Sequence, residues 1–195
     1  LHYGTQKELD DFGNYEIRLM KPNDFPSYLD AYKESYESIS SYMSVSSVNS
    51  LNVISTLQRE FMSNLRSKES DVFGLFEGNR LLGVGQFFPL FYSGNGCQII
   101  LWVRKHEKNK KIGTFFLRRL TMYAFYPKNF RFAEVVIDEG NHASRAIAEK
   151  VGYELIGKTE TETQGYMGTG IYYRYMIFDG EIEALAENYH RQPVD

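Results

Sequence analysis

A chain of 195 residues with 43% hydrophobic and 24% charged side chains is long enough for one domain with a real core, and its formal net charge of -3 makes any basic patch a local feature. No apolar run approaches the roughly 20 residues that cross a bilayer. A single cysteine, Cys97, excludes an internal disulfide framework and a Cys-rich zinc site.

The first stretch, LHYGTQKELDDFGN, has neither a basic n-region nor an apolar h-region, so no signal peptide is expected. Residues 1–14 read as an extension on one domain spanning 1–195. With one cysteine and no leader, a reducing, cytoplasmic setting is expected. Tyr15–Met20 alternates and predicts a strand. Lys21-Pro22-Asn23-Asp24 breaks it and offers Asn23 or Asp24 as cap for a helix to about Tyr36. SISSYMSVSSVNS, residues 38–50, is Ser-rich and predicts an irregular loop. Asn49 or Ser50 then caps a helix to about Ser67, with Leu51, Ile54, Leu57, Phe61 and Leu65 on one stripe.

Asp71–Glu77 and Arg80–Leu90 predict strands joined at Gly78-Asn79, a two-residue hairpin signal. Gly94–Gly96 marks another turn before a strand over Gln98–Val103. Cys97 lies at that strand's start, where a buried structural thiol outweighs a nucleophile. Gly113–Tyr126 reads as a helix ended by Pro127, with Phe116, Leu117, Leu120, Tyr123 and Ala124 at core spacing. Phe132–Ile137 is a short strand, and Asn141–Lys150 a helix closed by Gly152. Tyr153–Lys158 and Tyr172–Phe178 predict the last strands, and Glu181–His190 a terminal helix. The order is that of an α+β domain, in which an antiparallel meander feeds one parallel β-α-β crossover.

Residues 104–119 hold 7 of the 22 Lys and Arg, against one acid, Glu107. They lie between a strand and a helix start. The first N–H groups of a helix have no internal partner, and the helix dipole is positive there, so an anion can bind. Lys108, Lys110 and Lys111 add charge, and Gly113 lets backbone approach closely. A solvated basic turn reads the same stretch equally well. In NHASRAIAEKVGY, residues 141–153, Asn141 reads as an N-cap and Ser144 as a locally bonded hydroxyl. The histidines His2, His106, His142 and His190 have no paired spacing, so no metal site is expected.

Together, the two segments resemble the GNAT family of acetyl-CoA-dependent N-acetyltransferases. KHEKNKKIGTFFLRRL is similar to that family's pyrophosphate loop and helix, with pattern Gln/Arg-x-x-Gly-x-Gly/Ala. NHASRAIAEKVGYELIG is similar to its next motif, in the Asn-x-x-Ser form of the ribosomal-protein N-terminal acetyltransferase (RimJ/RimL-type) branch. Lys108 takes the Gln/Arg position, Lys111 the first Gly and Gly113 the final Gly. The tyrosine many such enzymes use as general acid would fall at Ala148.

The resemblance implies a mostly antiparallel sheet with a V-shaped splay for acetyl-CoA, here between Gln98–Val103 and Phe132–Ile137. It implies that Lys108, Asn109, Lys110, Lys111, Ile112, Gly113 and Thr114 hold the pyrophosphate. Backbone of Ile100, Leu101, Trp102 and Val103, with Asn141 and Ser144, would line the rest. Transfer would be direct attack by a primary amine in a ternary complex. Ser144 would serve the leaving thiol, and Glu160 or Glu162 would serve as base, with Glu134 and Tyr172 as weaker candidates. Glu34, Tyr36 and the stretch around Tyr42-Met43 fall where the branch builds its substrate wall.

Residues 134–195 hold 12 acids against 5 bases, which favours a cationic acceptor, whether a peptide N-terminus or a small amine. A homodimer is compatible with this reading. Neither a nucleic-acid nor a membrane partner is expected, since no RRM, KH or helix-turn-helix signature accompanies the basic stretch. The alternative is a CoA-binding relative of the same fold without transferase activity.

Overall fold

A computed structural model describes residues 15–42, 51–67, 70–90, 95–108, 111–161 and 169–180. Among them the order is β1 (Tyr15–Leu19), α1 (Phe25–Ser40), α2 (Leu51–Arg66), β2 (Val72–Glu77), β3 (Arg80–Leu90), β4 (Gly96–Val103), α3 (Ile112–Phe125), β5 (Phe132–Asp138), α4 (His142–Val151), β6 (Glu154–Thr161) and β7 (Gly170–Phe178). The predicted terminal helix over 181–190 lies outside the described residues.

The strands form one seven-stranded sheet, ordered β1-β2-β3-β4-β5-β7-β6. Every pair is antiparallel except β4 with β5, which the α3 crossover joins in parallel. Gly78, with φ of 58°, makes the β2–β3 turn in the left-handed region that Gly enters at no steric cost.

Helices cover both faces, because each face buries its own apolar set. On one face α3 supplies Phe116, Leu117, Leu120 and Ala124 at 3.6-residue spacing, and α4 supplies Ala148 and Val151. These meet Leu82, Phe87, Cys97, Ile99, Val135 and Ile137 of the sheet. On the other face α1 and α2 bury Phe25, Tyr32, Ile39, Leu57 and Phe61 against Phe76, Leu81 and Val84. Cys97 is fully buried, as a structural thiol should be, and burial pushes its pKa up to about 12. Tyr153 donates to Thr121 Oγ1 at 2.7 Å, since that hydroxyl's own proton goes to Leu117 O.

Two local expectations are corrected. Helix α1 does not end near Tyr36; it runs through Ser40. Its serines are accommodated because Ser38 and Ser40 donate back to the carbonyls of Ser35 and Glu37, while Ile39 is buried beneath them. Residues 43–50 of the predicted loop lie outside the described residues. Asp24 holds the cap position of α1 but does not cap it. Its carboxylate accepts from Arg18 at 2.7 and 2.8 Å and from Lys21 N at 2.7 Å.

Arg104 does not belong to a solvated basic patch. It is 4% exposed beneath α1, donating from Nε to Leu81 O at 2.9 Å and from Nη1 to Asp30 and Glu34 at 2.9 and 2.6 Å. Glu34, expected in a substrate wall, is thus engaged in joining α1 to the end of β4. Lys105 pairs with Glu37, and the buried Glu107 pairs with Arg80 at 2.7 Å. Of the described basic residues between 104 and 111, only Lys108 and Lys111 line the cleft described next.

Candidate active site

The site begins where a ladder stops. β4 and β5 pair only through Gly96↔Phe132, Cys97↔Ala133 and Gln98↔Glu134. Beyond Gln98, β4 continues along β3 to Val103, and β5 continues along β7 to Asp138. The two strands therefore part, which is the splay that the family resemblance implied. A cleft of about 510 Å³ fills the gap.

The opened edge of β4 presents backbone groups at alternate residues. Arg104 N donates to Leu82 O of β3 at 2.7 Å. Peptides alternate along a strand, so Trp102 and Ile100 also turn toward β3, whereas Val103 and Leu101 turn their N–H and C=O toward the gap. The expectation of donors over Ile100–Val103 narrows to these two.

The cleft is lined from both faces of the sheet. From the side of α3 and α4 come Gly113, Thr114, Leu117, Asn141, Ser144 and Ile147. From the opposite side come Ser38 and Tyr42 at the end of α1, with Asp138 and Tyr172. One passage through the sheet thus joins a helix N-terminus to an aromatic and acidic mouth.

That helix N-terminus is made in an unusual way. Lys111 is the N-cap of α3 with φ 63° and ψ 0°, the left-handed region a side chain enters at a cost. Its carbonyl accepts from Phe115 N at 3.0 Å, so the first N–H groups of α3 are left without helical partners. A Cβ on Gly113 would stand 2.9 Å from Ile147 Cδ1, so this glycine also lets α3 and α4 approach. Asn141 is the N-cap of α4: its Oδ1 accepts from Ser144 N at 3.2 Å, which leaves its side-chain NH₂ as a donor.

Of the residues singled out from the sequence, Ile100, Leu101, Trp102, Val103, Lys108, Lys111, Gly113, Thr114, Asn141 and Ser144 all line this cleft. Ile112 does not; its side chain is buried in the core, so only its backbone N–H belongs to the helix end. Ala148 is fully buried in the core on the sheet side of α4. Glu160 is exposed on β6, paired across the ladder with Ile171 and away from the lining. Glu134 accepts from Arg174 Nε at 2.6 Å, a committed carboxylate. Asn109, Lys110, Met43 and Glu162 lie outside the described residues.

Sequence reasoning missed Asp138 and Lys150 and gave Tyr172 little weight. A signal for Asp138 did exist. It is the only acid among the strand residues Phe132–Asp138 after Glu134, placed at the strand's C-terminal end next to a glycine turn.

Comparisons with known proteins agree with this architecture. The profile of the Acetyltransferase (GNAT) domain matches residues 15–154. No curated protein matches the chain in sequence. Among solved structures, ribosomal-protein-S5-alanine acetyltransferase from Vibrio fischeri superposes with a TM-score of 0.73 at 10% identity, covering 87% of this chain and 96% of that one. RimJ of Mycobacterium smegmatis, in complex with CoA-disulfide, gives 0.72 at 14% identity, covering 86% and 83%. Spermidine N-acetyltransferase from Vibrio cholerae, in complex with CoA and spermine, gives 0.68 at 14% identity, covering 85% and 95%. Identities this low establish a shared fold, and the profile carries the family assignment. The chain belongs to the GNAT family, as an acetyl-CoA-dependent N-acetyltransferase.

Proposed function

We propose that the protein transfers the acetyl group of acetyl-CoA to a primary amine, on a peptide N-terminus or a small molecule, by direct attack in a ternary complex. The observation that carries this reading is the cleft through the sheet. It has a helix N-terminus at one end, a line of backbone donors along one wall and room for an acceptor from the opposite face. Structural neighbours are named for acceptors of both kinds, a ribosomal protein and spermidine.

In this reading the unpartnered N–H groups from Ile112 to Thr114 hold the pyrophosphate, with Lys108 and Lys111 supplying charge and Asn109 and Lys110 completing the loop. Val103 and Leu101 offer their N–H groups to the extended arm and its thioester carbonyl. A donor aimed at developing negative charge contributes a few kcal/mol. Asn141 donates its side-chain NH₂ to the arm, and the Ser144 hydroxyl gives a proton to the departing sulfur, a modest base with a pKa of roughly 8.5. An alkylammonium has a pKa near 10. The acceptor must therefore shed a proton first, to water or to a carboxylate such as Glu162; Glu160, away from the lining, is no longer a candidate.

Thiol release from acetyl-CoA across an amine panel tests the reading. Amine-dependent release is expected, and Asn141→Ala and Ser144→Ala should each lower it. If both variants turn over like the parent, their assigned roles are wrong. CoA binding without release for any amine would favour a binding module. A crystal soaked with acetyl-CoA should place the phosphates at 108–114; phosphates elsewhere would sink the assignment.

A further inference from the structure

Among the described residues, the two carboxylates lining the cleft are Glu107 and Asp138. Glu107 is held by Arg80 at 2.7 Å. Asp138 ends β5 on the face opposite α3 and α4, where it shares the cleft with Ser38, Tyr42 and Tyr172. Its Oδ1 accepts from Gly140 N at 2.8 Å, which fixes the side chain in a short turn. Its Oδ2 has no cation beside it among the described residues. Asp138 is half-buried, and the residue beside Oδ2 is Gly170, which brings no side chain to it; a Cβ there would be in ordinary contact at 3.8 Å. Oδ2 is therefore both oriented and approachable.

Glu139, next in the chain, turns to the other face, where Tyr173 Oη donates to it at 3.4 Å, and the acids of α1, with Glu134 of β5, are held in ion pairs. Asp30 and Glu34 hold Arg104, Glu37 holds Lys105, and Glu134 holds Arg174. Residues 43–50 contain no acid, and residues 162–168 contain one, Glu162. Among the described residues, the excess of acids over residues 134–195 is thus not a field focused on the cleft. Among those residues it reduces there to one carboxylate outside an ion pair, Asp138.

We propose that Asp138 is the carboxylate that receives the acceptor's ammonium group, and that this mouth takes an acceptor with one ammonium beside an apolar group rather than a polyamine. The proposal rests on the acetyl-transfer reading above. A polyamine carries several cations and needs several spaced anions, whereas a single carboxylate in a mouth that Tyr42 and Tyr172 also line satisfies one cation. Aromatic faces such as Tyr42, 37% exposed, attract the same charge. Asp138 holds and orients the amine. On moving from Asp138 to the thioester the ammonium loses one proton to water. The nitrogen lone pair then forms the C–N bond as the C–S bond breaks, and the second proton goes to the CoA sulfur.

The test uses the full chain and the variant Asp138→Asn, which keeps an oxygen for Gly140 N and removes only the charge. Three probes are compared: an amino-acid amide with one ammonium, spermidine, and an arylamine that is neutral at pH 7. The parent should favour the single-ammonium amide over spermidine. The variant should raise KM for that amide by about tenfold or more, as expected for a lost charged hydrogen bond, with kcat changed less than about threefold. KM for the arylamine and the Kd for CoA should stay within about twofold of the parent. Equal losses on the amide and the arylamine would reveal a structural role and overturn the proposal, as would an unchanged KM for the amide or a parent preference for spermidine. Should Asp138→Asn lose CoA binding through misfolding, Asp138→Glu decides: it restores the charge and must recover discrimination between amide and arylamine. A parent that binds CoA but acetylates none of the amines overturns the acetyl-transfer reading itself, and this proposal with it.

Discussion

At the scale of single residues, Lys111 and Arg104 show how charge in a sequence divides once folded. Both belong to one basic run. Arg104 is buried under α1 as a clasp between a helix and a strand end, with two acids accepting from it. Lys111 stands at the start of α3 in the left-handed region. Lys111→Gly should relieve that conformation, worth 1–2 kcal/mol for a side-chain-bearing residue and partly offset by glycine's freer unfolded chain, for a net gain of about 0.5–1 kcal/mol. The same change removes an ammonium from the cleft and should weaken CoA binding by about threefold, an effect that shrinks as salt rises. Chemical denaturation and CoA titration at two ionic strengths check both halves. The helix-entrance position was legible in the sequence. The sorting of its charges was not, because ion pairing depends on which helix the sheet carries overhead, some 70 residues away in the chain.

Among the elements, the meander and crossover were legible almost to the residue, because glycine, proline or asparagine turns such as Gly78-Asn79, Gly94–Gly96 and Pro127–Asn129 separate most of them. The end of α1 was misread because local composition favoured a loop, while burial of Ile39 and back-bonded serine hydroxyls favoured a helix. The parting of β4 from β5 was expected from family resemblance alone. Periodicity identifies strands, but it says nothing about where a ladder ends. Position 83 tests how tightly β4 is held against its other neighbour. A Cβ on Gly83 would stand 2.8 Å from Trp102 O and 3.2 Å from Val103 Cγ1. Gly83→Ala must therefore push backbone rather than a flexible tip. It should cost about 1–3 kcal/mol, in the range of overpacked sites. It should also lower CoA affinity, because Val103 forms the wall of the cleft. A smaller loss of stability with unchanged CoA affinity would mean that β4 yields locally without disturbing the gap.

For the whole molecule, the buried acids set an alkaline limit. Burial pushes Cys97 and Tyr28 up to about 12, and it raises Tyr32 and Tyr153 as well. Their ordinary values are 9.0 for the thiol and 10.0 for the phenols. The folded protein therefore holds these protons more tightly than the unfolded chain does. Their contribution to stability is complete below about pH 9 and is lost as pH rises toward 12. Urea midpoints should thus fall steadily from pH 9 to 11. Thiol reagents should reach Cys97 only at the rate of unfolding, and rapid labelling of the native protein would contradict its placement in the core.

The join between the two halves of the sheet has a mechanical meaning. β1 to β4 form one plate, and β5, β7 and β6 form another. Three residue pairs seam them directly, against seven between β5 and β7. Whatever occupies the gap extends that seam, so occupancy acts as mortar between two plates. Loading with CoA should slow amide exchange most at Leu101, Val103 and the inner half of β5, well ahead of β1 and β2. The protein's stiffness would then record, from turnover to turnover, whether its cosubstrate is aboard.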